Sequence, residues 1–355
     1  MEAILPKERI KCRLIDLVAY ASDAGFYYLR PKAVVQPVSE KEIISLLEFS
    51  HRNKIPMTFR TGGTSLSGQS ITDGILVDLS QYWNQLLIED NGGLVRVQPG
   101  ITGSMVNTFL KKHKRKIGPD PSSIDSAMIG GILSNNSSGM CCGVSLNSYH
   151  TTKHIRFILP CGKSFSTEVK ADYHRFKEEC PDIYSTLLNL KNQIAENAAL
   201  SQRIRTKYLT KNTVGYSLNA FIDYSDPLDI LSHLLIGAEG TLGFIAEAVM
   251  ETVPDYPFKS TAFIYFETIY SACQAIEPLT VSGAEAVELM DRASLRSIED
   301  LKGAPEILKT LPETAAALLV EFQSNSKEEL QAKIDSLLPH TGSFLLLEPI
   351  SFTED

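Results

Sequence analysis

Residues 117–143 carry few bulky side chains and constrain the backbone more strongly than any other stretch of the chain. They read IGPDPSSIDSAMIGGILSNNSSGMCCG. Pro119 and Pro121 each fix φ and lack an N–H group, so they predict a rigid, extended corner. The glycine pair 130–131 leaves the backbone uncovered, and residues 135–138 offer short hydrogen-bond donors. Such a segment suits an anion such as a diphosphate, although an ordinary surface loop could have the same composition.

Two further glycine-rich loops favour the anion-binding alternative. Residues 60–69 read RTGGTSLSGQ and lie between two apolar runs, 55–59 and 75–79, that predict strands. Residues 237–243 read GAEGTLG and lead into another apolar run at 244–246. One such loop is weak evidence, but three of them predict that a long phosphate-bearing ligand lies between them.

The charge balance and the cysteine pattern argue against several classes of partner. The 355 residues carry a net charge of −8, which argues against nucleic acid or an anionic membrane as the main partner. No apolar run approaches the roughly 20 residues that span a bilayer, and the first residues lack the pattern of a signal peptide. The six cysteines include no C-x-x-C pair. We therefore expect free thiols in the cytoplasm, with peripheral attachment to the inner membrane left open.

The length and the order of the predicted elements indicate two domains. Residues 33–60 predict a strand, a helix and a strand, a βαβ unit in which Ser39 and Glu42 form a capping box. The composition changes at PDYP, residues 254–257, and predicted strands and helices alternate beyond it. We place the domain boundary between residues 256 and 257.

Apolar periodicity predicts further elements, and two histidines are tested as metal ligands. Residues 10–20 and 176–200 predict helices, and residues 343–347 predict the last strand. His150 and His154 lie in a β-like context, where residues four apart are roughly 13 Å apart. This separation is too large for a shared ion, so we predict no metal site.

In order and spacing, the motifs of the chain resemble those of the FAD-linked oxidases of the vanillyl-alcohol oxidase type. The motifs are RTGGTSLSGQ at 60–69, PDPSS at 119–123, IGGI at 129–132, NNSSG at 135–139, KNTVGYSLNA at 211–220 and GAEGTLGFIAE at 237–247. They most resemble the bacterial D-lactate and D-2-hydroxyglutarate dehydrogenases that fuse an FAD domain to an iron–sulfur domain. The resemblance runs from about Asp16 to Asp291.

The resemblance implies both a fold and a reaction. The fold is α+β: a PCMH-type FAD-binding domain, 1–256, of two α+β subdomains (about 1–90 and 91–256), then an incomplete α+β substrate or cap domain, 257–355. The reaction is the FAD-dependent oxidation of a D-2-hydroxy acid, such as D-lactate, D-2-hydroxyglutarate or glycolate, to the 2-oxo acid by hydride transfer to flavin N5.

The resemblance also assigns residues to the cofactor. The loop at 61–69 would hold the FAD diphosphate, and residues 121–123 would lie along the isoalloxazine. The glycines and asparagines of 130–139 would line the diphosphate and ribityl chain, and Glu239, Gly240 and Ile245 would close over the adenine–ribose end. The assigned residues are Arg60, Thr61, Gly62, Gly63, Thr64, Ser65, Gly68, Gln69, Pro121, Ser122, Ser123, Gly130, Gly131, Asn135, Asn136, Gly139, Glu239, Gly240 and Ile245. A structural pairing is the alternative for Arg60. Relatives that bind FAD covalently carry a histidine in the first loop, and residues 60–69 contain none, so we expect non-covalent FAD.

The substrate carboxylate requires a cation. Arg203, Arg205, Lys207 and Lys211 precede or open the KNTVGY motif. Lys211 and Tyr216 are the predicted catalytic residues, and solvation of a helix end is the alternative for the cations. The partners that we expect are a small 2-hydroxy acid and, as electron acceptor, an iron–sulfur domain or a quinone.

One part of the family pattern has no counterpart before Asp355. The base and the metal-ligating histidines of the family lie in a later H-x-x-x-x-x-x-H-type segment, which this sequence lacks. We therefore expect the chain to be part of a longer dehydrogenase. The sequence leaves two alternatives open: an FAD-binding module without turnover of its own, and a carbohydrate or lactone oxidase of the same fold.

Overall fold

A computed structural model describes residues 1–213, 215–342 and 344–354 and confirms an α+β architecture. The chain divides into two compact units, Met1–Pro254 and Asp255–Asp355. The division falls at the start of the PDYP segment. Each unit has its own sheets and its own buried clusters.

The first unit contains strands and helices that alternate along the chain. Its strands are β1 (Ile10–Lys11), β2 (Ala33–Val35), β3 (Met57–Arg60), β4 (Ile75–Asp78), β5 (Leu86–Glu89), β6 (Leu94–Val97), β7 (Arg115–Ile117), β8 (Thr152–Ile158), β9 (Ser164–Ser166) and β10 (Phe244–Pro254). Its helices are α1 (Leu14–Ala19), α2 (Glu40–Asn53), α3 (Gly103–Leu110), α4 (Ile129–Asn135), α5 (Ser148–Thr151), α6 (Lys170–Glu179), α7 (Pro181–Glu196), α8 (Ala198–Lys207), α9 (Ala220–Asp223) and α10 (Pro227–Leu235). Short 3₁₀ turns lie at Lys7–Arg9, Asp90–Gly92 and Lys111–His113.

The first sheet has the order β1–β2–β4–β3, and β2 and β3 both run parallel to β4. The predicted βαβ unit is therefore confirmed, with α2 as its crossover. Ser39 Oγ accepts a hydrogen bond from Glu42 N at 3.3 Å, whereas the Glu42 carboxylate accepts from Val38 N at 2.7 Å, a variant of the capping box. Because parallel strands end at the same edge, the loop after β3 leaves the carboxyl edge of this sheet.

The second sheet has the order β5–β6–β10–β8–β9, and β7 pairs with the last residues of β10. β10 is central and antiparallel to both β6 and β8. Its apolar face packs into a large core cluster that also receives Ile132 from α4 and Leu231 from α10. This packing fixes the position of the loop that precedes β10.

The second unit is an antiparallel sheet covered by helices. Its elements are β11 (Phe258–Phe266), α11 (Ile269–Val281), β12 (Ala286–Met290), α12 (Arg292–Ile298), a 3₁₀ helix (Glu306–Thr310), β13 (Ala316–Ser324), α13 (Lys327–Thr341) and β14 (Thr353–Glu354), in the sheet order β12–β13–β11–β14. Ile264 and Phe266 join one core cluster and Tyr265 joins the other, as the two-residue period of a strand requires.

The predictions of long helices were wrong in detail. Residues 176–200 form parts of three helices, because Pro181 has no N–H to continue α6 and Cys180 before it is non-helical at φ −129° and ψ 52°. Asn197 then caps α8 by accepting from Leu200 N at 3.0 Å. Residues 10–20 begin as β1, and the apolar side chains of α1 are largely exposed.

Two strand predictions also require correction. His150 lies in α5 and only His154 lies in a strand, so the strand spacing does not apply to this pair. Leu346 forms an isolated bridge with Phe266 in place of the predicted strand at 343–347, and Ser343 lies outside the described residues. No strand was predicted at 286–290, because β12 exposes Glu288 and Leu289 at a sheet edge.

Candidate cofactor site

A cavity of about 520 Å³ lies within the first unit, where the three glycine-rich segments meet. The predicted cofactor residues that line it are Arg60, Thr61, Gly63, Thr64, Ser65, Gln69, Pro121, Ser122, Ser123, Gly130, Gly131, Asn135, Glu239, Gly240 and Ile245. The lining also includes polar residues that were not predicted, namely Ser67, Ser70, Ser134, Ser137, Ser138 and Thr213. Most of these belong to the same motifs, so a prediction by whole motif would have included them.

The loop at 60–69 is held by its arginine. Arg60 Nη1 donates to the carbonyl oxygens of Ser22 at 2.8 Å and Tyr20 at 3.3 Å, and its guanidinium lies over the Tyr20 ring. Gly63, at φ +66°, lies so close that a Cβ would stand 2.5 Å from Arg60 Nη2. Arg60 therefore lines the cavity while its hydrogen bonds serve the fold.

Gly130 and Gly131 allow α4 to pack against the floor of the cavity. A Cβ on Gly130 would stand 2.7 Å from Pro99 Cβ, and one on Gly131 would stand 3.3 Å from Thr61 Oγ1. A side chain at Gly130 would therefore disrupt the packing of α4 against Pro99. Gly131 leaves open backbone between α4 and the first loop, which is the kind of surface that a diphosphate can approach closely.

Asn135 and Glu239 join two of the glycine-rich segments across the cavity wall. Asn135 Nδ2 donates to Glu239 Oε1 at 2.6 Å. Burial raises the pKa of Glu239 above its ordinary value, and the hydrogen bond from Asn135 opposes this rise. Glu239 also has φ +51°, so the wall here is fixed by both its backbone and its side chain.

The other four predicted cofactor residues lie outside the cavity lining and stabilise the backbone around it, namely Gly62, Gly68, Asn136 and Gly139. A Cβ on Gly62 would overlap the Ser126 carbonyl oxygen, and a Cβ on Gly139 would overlap that of Asp120. Gly68, at φ +81°, lies against the Tyr27 ring.

Asn136 ends α4 in the left-handed region at φ +52°, and its side chain is directed inward. Its Nδ2 donates to Asn212 O at 3.2 Å, and its Oδ1 accepts from Tyr149 N at 3.1 Å. Asn136 therefore connects α4 to the 211–217 segment, and Asn135 is the member of the pair that reaches the cavity.

The predicted catalytic pair lies at the edge of the site. Lys211 Nζ donates to Gly139 O at 2.5 Å, and Tyr216 Oη shares a hydrogen bond with Thr241 Oγ1 at 2.9 Å. Both side chains are exposed, and neither lines the cavity. Thr213 is the residue of the KNTVGY motif that does, and Val214 lies outside the described residues.

The donors around the cavity fit a large polar ligand such as FAD. Ser138 Oγ and Asn212 Nδ2 are buried without a hydrogen-bond partner within the described residues. Ser138 lines the cavity, and Asn212 adjoins Thr213. A buried donor without a partner costs free energy, so its presence favours a ligand that would satisfy it.

No metal cluster accompanies this cavity in the ranges that the structure describes. No group of three or more His, Cys, Asp or Glu side chains is placed there to hold an ion. Cys141 and Cys142 instead donate their backbone N–H groups to the Asp120 carboxylate at 2.9 and 3.2 Å. These contacts fold the 117–143 stretch back on its own proline corner.

Two protein-family models match successive segments of the chain. Residues 31–168 match the FAD binding domain family, and residues 257–346 match the C-terminal domain of FAD linked oxidases. The first match contains the loop at 60–69 and all of the cavity lining from the 117–143 stretch, whereas the lining residues at 239–245 lie beyond it. FAD is therefore the cofactor of this domain.

Several relatives are similar over much of the chain. D-2-hydroxyglutarate dehydrogenase of Pseudomonas putida is 26% identical over 347 residues, 94% of this chain and 34% of the relative. Mitochondrial D-lactate dehydrogenase [cytochrome] 1 of Saccharomyces cerevisiae is 27% identical over 76% of this chain and 38% of the relative. Glycolate oxidase subunit GlcD of Escherichia coli is 25% identical over 91% and 55%. The chain thus spans about one third of the length of the first two relatives.

A solved structure shows the same fold. Alkyldihydroxyacetonephosphate synthase matches with a TM-score of 0.67 over 97% of this chain and 59% of the other, at 16% identity. No helix in the described ranges is both long and apolar enough to cross a bilayer. The two family matches, the relatives and the glycine-lined cavity agree, and the chain carries an FAD binding domain followed by the C-terminal domain of FAD linked oxidases.

Proposed function

We propose that the chain carries the FAD of a dehydrogenase that oxidises a D-2-hydroxy acid to its 2-oxo acid. The observation that carries the proposal is the convergence of three glycine-rich segments on one cavity of an FAD binding domain. The names of the relatives, which refer to D-2-hydroxyglutarate, D-lactate and glycolate, support the substrate class. D-lactate, D-2-hydroxyglutarate and glycolate are the candidate substrates.

The FAD is held without a covalent bond. Histidine is absent from the loop at 60–69 and from the described residues that line the cavity. Acid precipitation of the purified protein should therefore release the flavin into the supernatant. A yellow pellet would contradict non-covalent binding.

The chain's own residues bind and orient the acid. When bound, FAD supplies the acceptor for the hydride that leaves the α-carbon of the substrate. Lys211 carries an exposed ammonium group whose hydrogen bond to Gly139 O leaves donors for a substrate carboxylate. Tyr216, aligned by Thr241, offers a hydroxyl group to the substrate.

The test is the absorbance spectrum of the FAD-loaded chain during anaerobic addition of each acid. Loss of the flavin absorbance with D-lactate, D-2-hydroxyglutarate or glycolate, but not with the L-enantiomers of the first two, is the expected result. A flavin spectrum that never changes would favour an FAD-binding module without turnover of its own. Oxygen uptake with a sugar would favour a carbohydrate or lactone oxidase. Absence of flavin even after FAD is added would overturn the assignment of the glycine-rich segments.

Substitution of Lys211 tests its role. Lys211→Met removes the charge and should raise the acid concentration for half-maximal flavin reduction about 10- to 100-fold, since hydrogen bonds to charged groups contribute roughly 1.5–3 kcal/mol. Lys211→Arg should keep most of the affinity. Lys41→Met, at an exposed lysine of α2, is the matched control. Equal behaviour of both methionine variants would exclude Lys211 from substrate binding.

A further inference from the structure

The first unit exposes a group of large apolar side chains near its N-terminus. We define the N-terminal patch as Leu14, Ile15, Val18, Phe26, Tyr27, Tyr28 and Leu29, whose relative exposures range from 43% to 87%. Single exposed apolar residues are common on proteins, but a contiguous group of this size marks an interaction surface. The periodicity of residues 10–20 predicted a helix with a packed face, and this face instead faces outward.

Backbone contacts bring the two halves of the N-terminal patch together. Ala21 N donates to Val18 O at 3.1 Å, and Leu29 N donates to Ala21 O at 2.8 Å, so the chain folds back toward the end of α1. Phe26 and Tyr27 stack with their ring centroids 4.5 Å apart. The patch is therefore a defined surface, because its backbone is hydrogen-bonded.

The segment that carries the N-terminal patch has a charge opposite to that of the whole chain. Residues 7–32 contain six Lys and Arg against three Asp and Glu, whereas the chain has a net charge of −8. Arg13 is paired with Asp16 at 2.8 Å and Arg9 with Glu42 at 2.6 Å, so these two bases are neutralised. Asp23 accepts from Gly25 N at 2.9 Å. Arg30 and Lys32 directly follow the aromatic run and are exposed.

We propose that the N-terminal patch docks on the surface of an anionic phospholipid bilayer. Tyrosine and phenylalanine side chains suit the headgroup layer, and leucine, isoleucine and valine suit the acyl boundary beneath it. Arg30 and Lys32 would contact anionic headgroups, because basic side chains next to an apolar surface are attracted to them. The net charge argues against such a partner for the surface as a whole, but binding depends on the local charge within about 10 Å.

This surface adjoins the loop that lines the cofactor cavity. Tyr27 packs against Gly68, and Ala24 N donates to Gly63 O at 3.1 Å. Docking at the N-terminal patch would place the loop at 60–69 next to the headgroup layer. The proposal does not depend on which acid the protein oxidises, or on whether this chain turns over alone.

Vesicle sedimentation tests the proposal with the full chain. The purified protein, loaded with FAD, is mixed with phosphatidylcholine vesicles that either contain or lack phosphatidylglycerol. We expect sedimentation only with phosphatidylglycerol, weakened by high salt because the charge contribution is screened. The triple variant Phe26→Ser/Tyr28→Ser/Leu29→Ser should lower the vesicle affinity at least about tenfold, since three large apolar side chains are lost. Arg30→Gln/Lys32→Gln should remove most of the preference for phosphatidylglycerol.

Matched variants separate docking from a loss of folding. Tyr270→Ser/Val281→Ser/Leu301→Ser removes three exposed apolar side chains from the second unit and should sediment like the wild type. Lys170→Gln/Lys302→Gln is the charge control. The flavin spectrum should be unchanged in every variant. The proposal is overturned if the wild type stays in solution, or if patch and control variants sediment equally. It is also overturned if analytical ultracentrifugation without vesicles shows a dimer that only the triple patch variant abolishes.

Discussion

The glycine-rich segments and the 211–217 segment meet at the same cavity but are held by different kinds of contact. The glycine-rich side relies on close backbone approach: Gly62 lies against Ser126 O, and Gly139 lies against Asp120 O. The 211–217 side relies on side-chain hydrogen bonds, such as those of Lys211 to Gly139 O and Tyr216 to Thr241. Substitution on the first side therefore meets steric overlap, whereas substitution on the second removes one hydrogen bond at a time.

The difference separates two functions of the site. A cofactor bound by backbone needs a wall of fixed shape, which close-packed glycines provide. A substrate group that enters and leaves needs side chains that can exchange partners, and the exposed Lys211 and Tyr216 can do so. We therefore expect substitutions on the glycine-rich side to act on folding and FAD affinity, and those on the 211–217 side to act on the acid.

The largest effect is expected at Gly139. Gly139→Ala places a Cβ on the Asp120 carbonyl oxygen, so the proline corner and the Cys141–Cys142 turn must separate. We expect a loss of about 3 kcal/mol in the free energy of unfolding, the upper part of the range for overpacking. Urea denaturation of the FAD-free chain measures it. Gly342→Ala, where a Cβ meets open space, is the control. Similar unfolding curves for both variants would show that the close approach is not a constraint.

At Gly131 we expect stability and affinity to change in opposite directions. Gly131→Ala improves helix propensity in α4 and could add up to about 1 kcal/mol to stability. The new methyl group lies 3.3 Å from Thr61 Oγ1 on the cavity wall and should weaken FAD binding about tenfold, or 1.4 kcal/mol. Flavin titration and thermal unfolding of the same sample measure the two effects. An unchanged FAD affinity would remove Gly131 from the cofactor surface.

The sequence predicted the glycine-rich side better than the other side for a physical reason. A backbone that other groups approach closely requires glycine, and glycine is visible in the sequence, so the motifs indicate Gly63, Gly130 and Gly131 directly. The sequence does not show which of Asn135 and Asn136 reaches the cavity. The difference arises because α4 ends between them, so that the Asn135 side chain faces the cavity and the Asn136 side chain is directed inward. The role of an exposed cation cannot be predicted in this way, since a solvated lysine and a substrate-binding lysine have the same local sequence.

The same limit applies to the elements of the fold. The largely buried strands β11 and β13 coincide with apolar runs and were among the strands predicted beyond residue 257. No strand was predicted at the edge strand β12, where Glu288 and Leu289 are exposed. The breaks at Cys180 and Asn197 depend on local capping that apolar periodicity does not report.

On the 211–217 side, Tyr208 holds the backbone in place. Tyr208 Oη donates to Tyr216 O at 2.8 Å and accepts from Leu218 N at 2.9 Å. Tyr208→Phe should cost about 1 kcal/mol of stability, the usual contribution of a hydrogen bond, and raise the acid concentration for half-maximal flavin reduction several-fold. FAD affinity should stay within about twofold, a difference below 0.5 kcal/mol. Tyr184→Phe, whose ring contacts Phe176 and Lys177, is the control. A parallel loss of FAD affinity would mean that the two sides are coupled.

The smallest effect is a pH dependence at Glu239, where the glycine-rich side does use a side chain. Burial raises the pKa of Glu239 above 4.5, so the folded chain holds this proton at a higher pH than the unfolded chain does. The stability that this protonation contributes is present at low pH and is lost as the pH rises through the raised pKa. Glu239→Gln keeps an acceptor for Asn135 and does not titrate. The wild type, relative to this variant, should therefore lose stability as the pH increases above 4.5, measured by urea denaturation without FAD. Glu288→Gln, at an exposed position of β12, should show no such trend. If the wild type instead gains stability relative to Glu239→Gln, the hydrogen bond from Asn135 outweighs burial and the wall is held by a charged carboxylate.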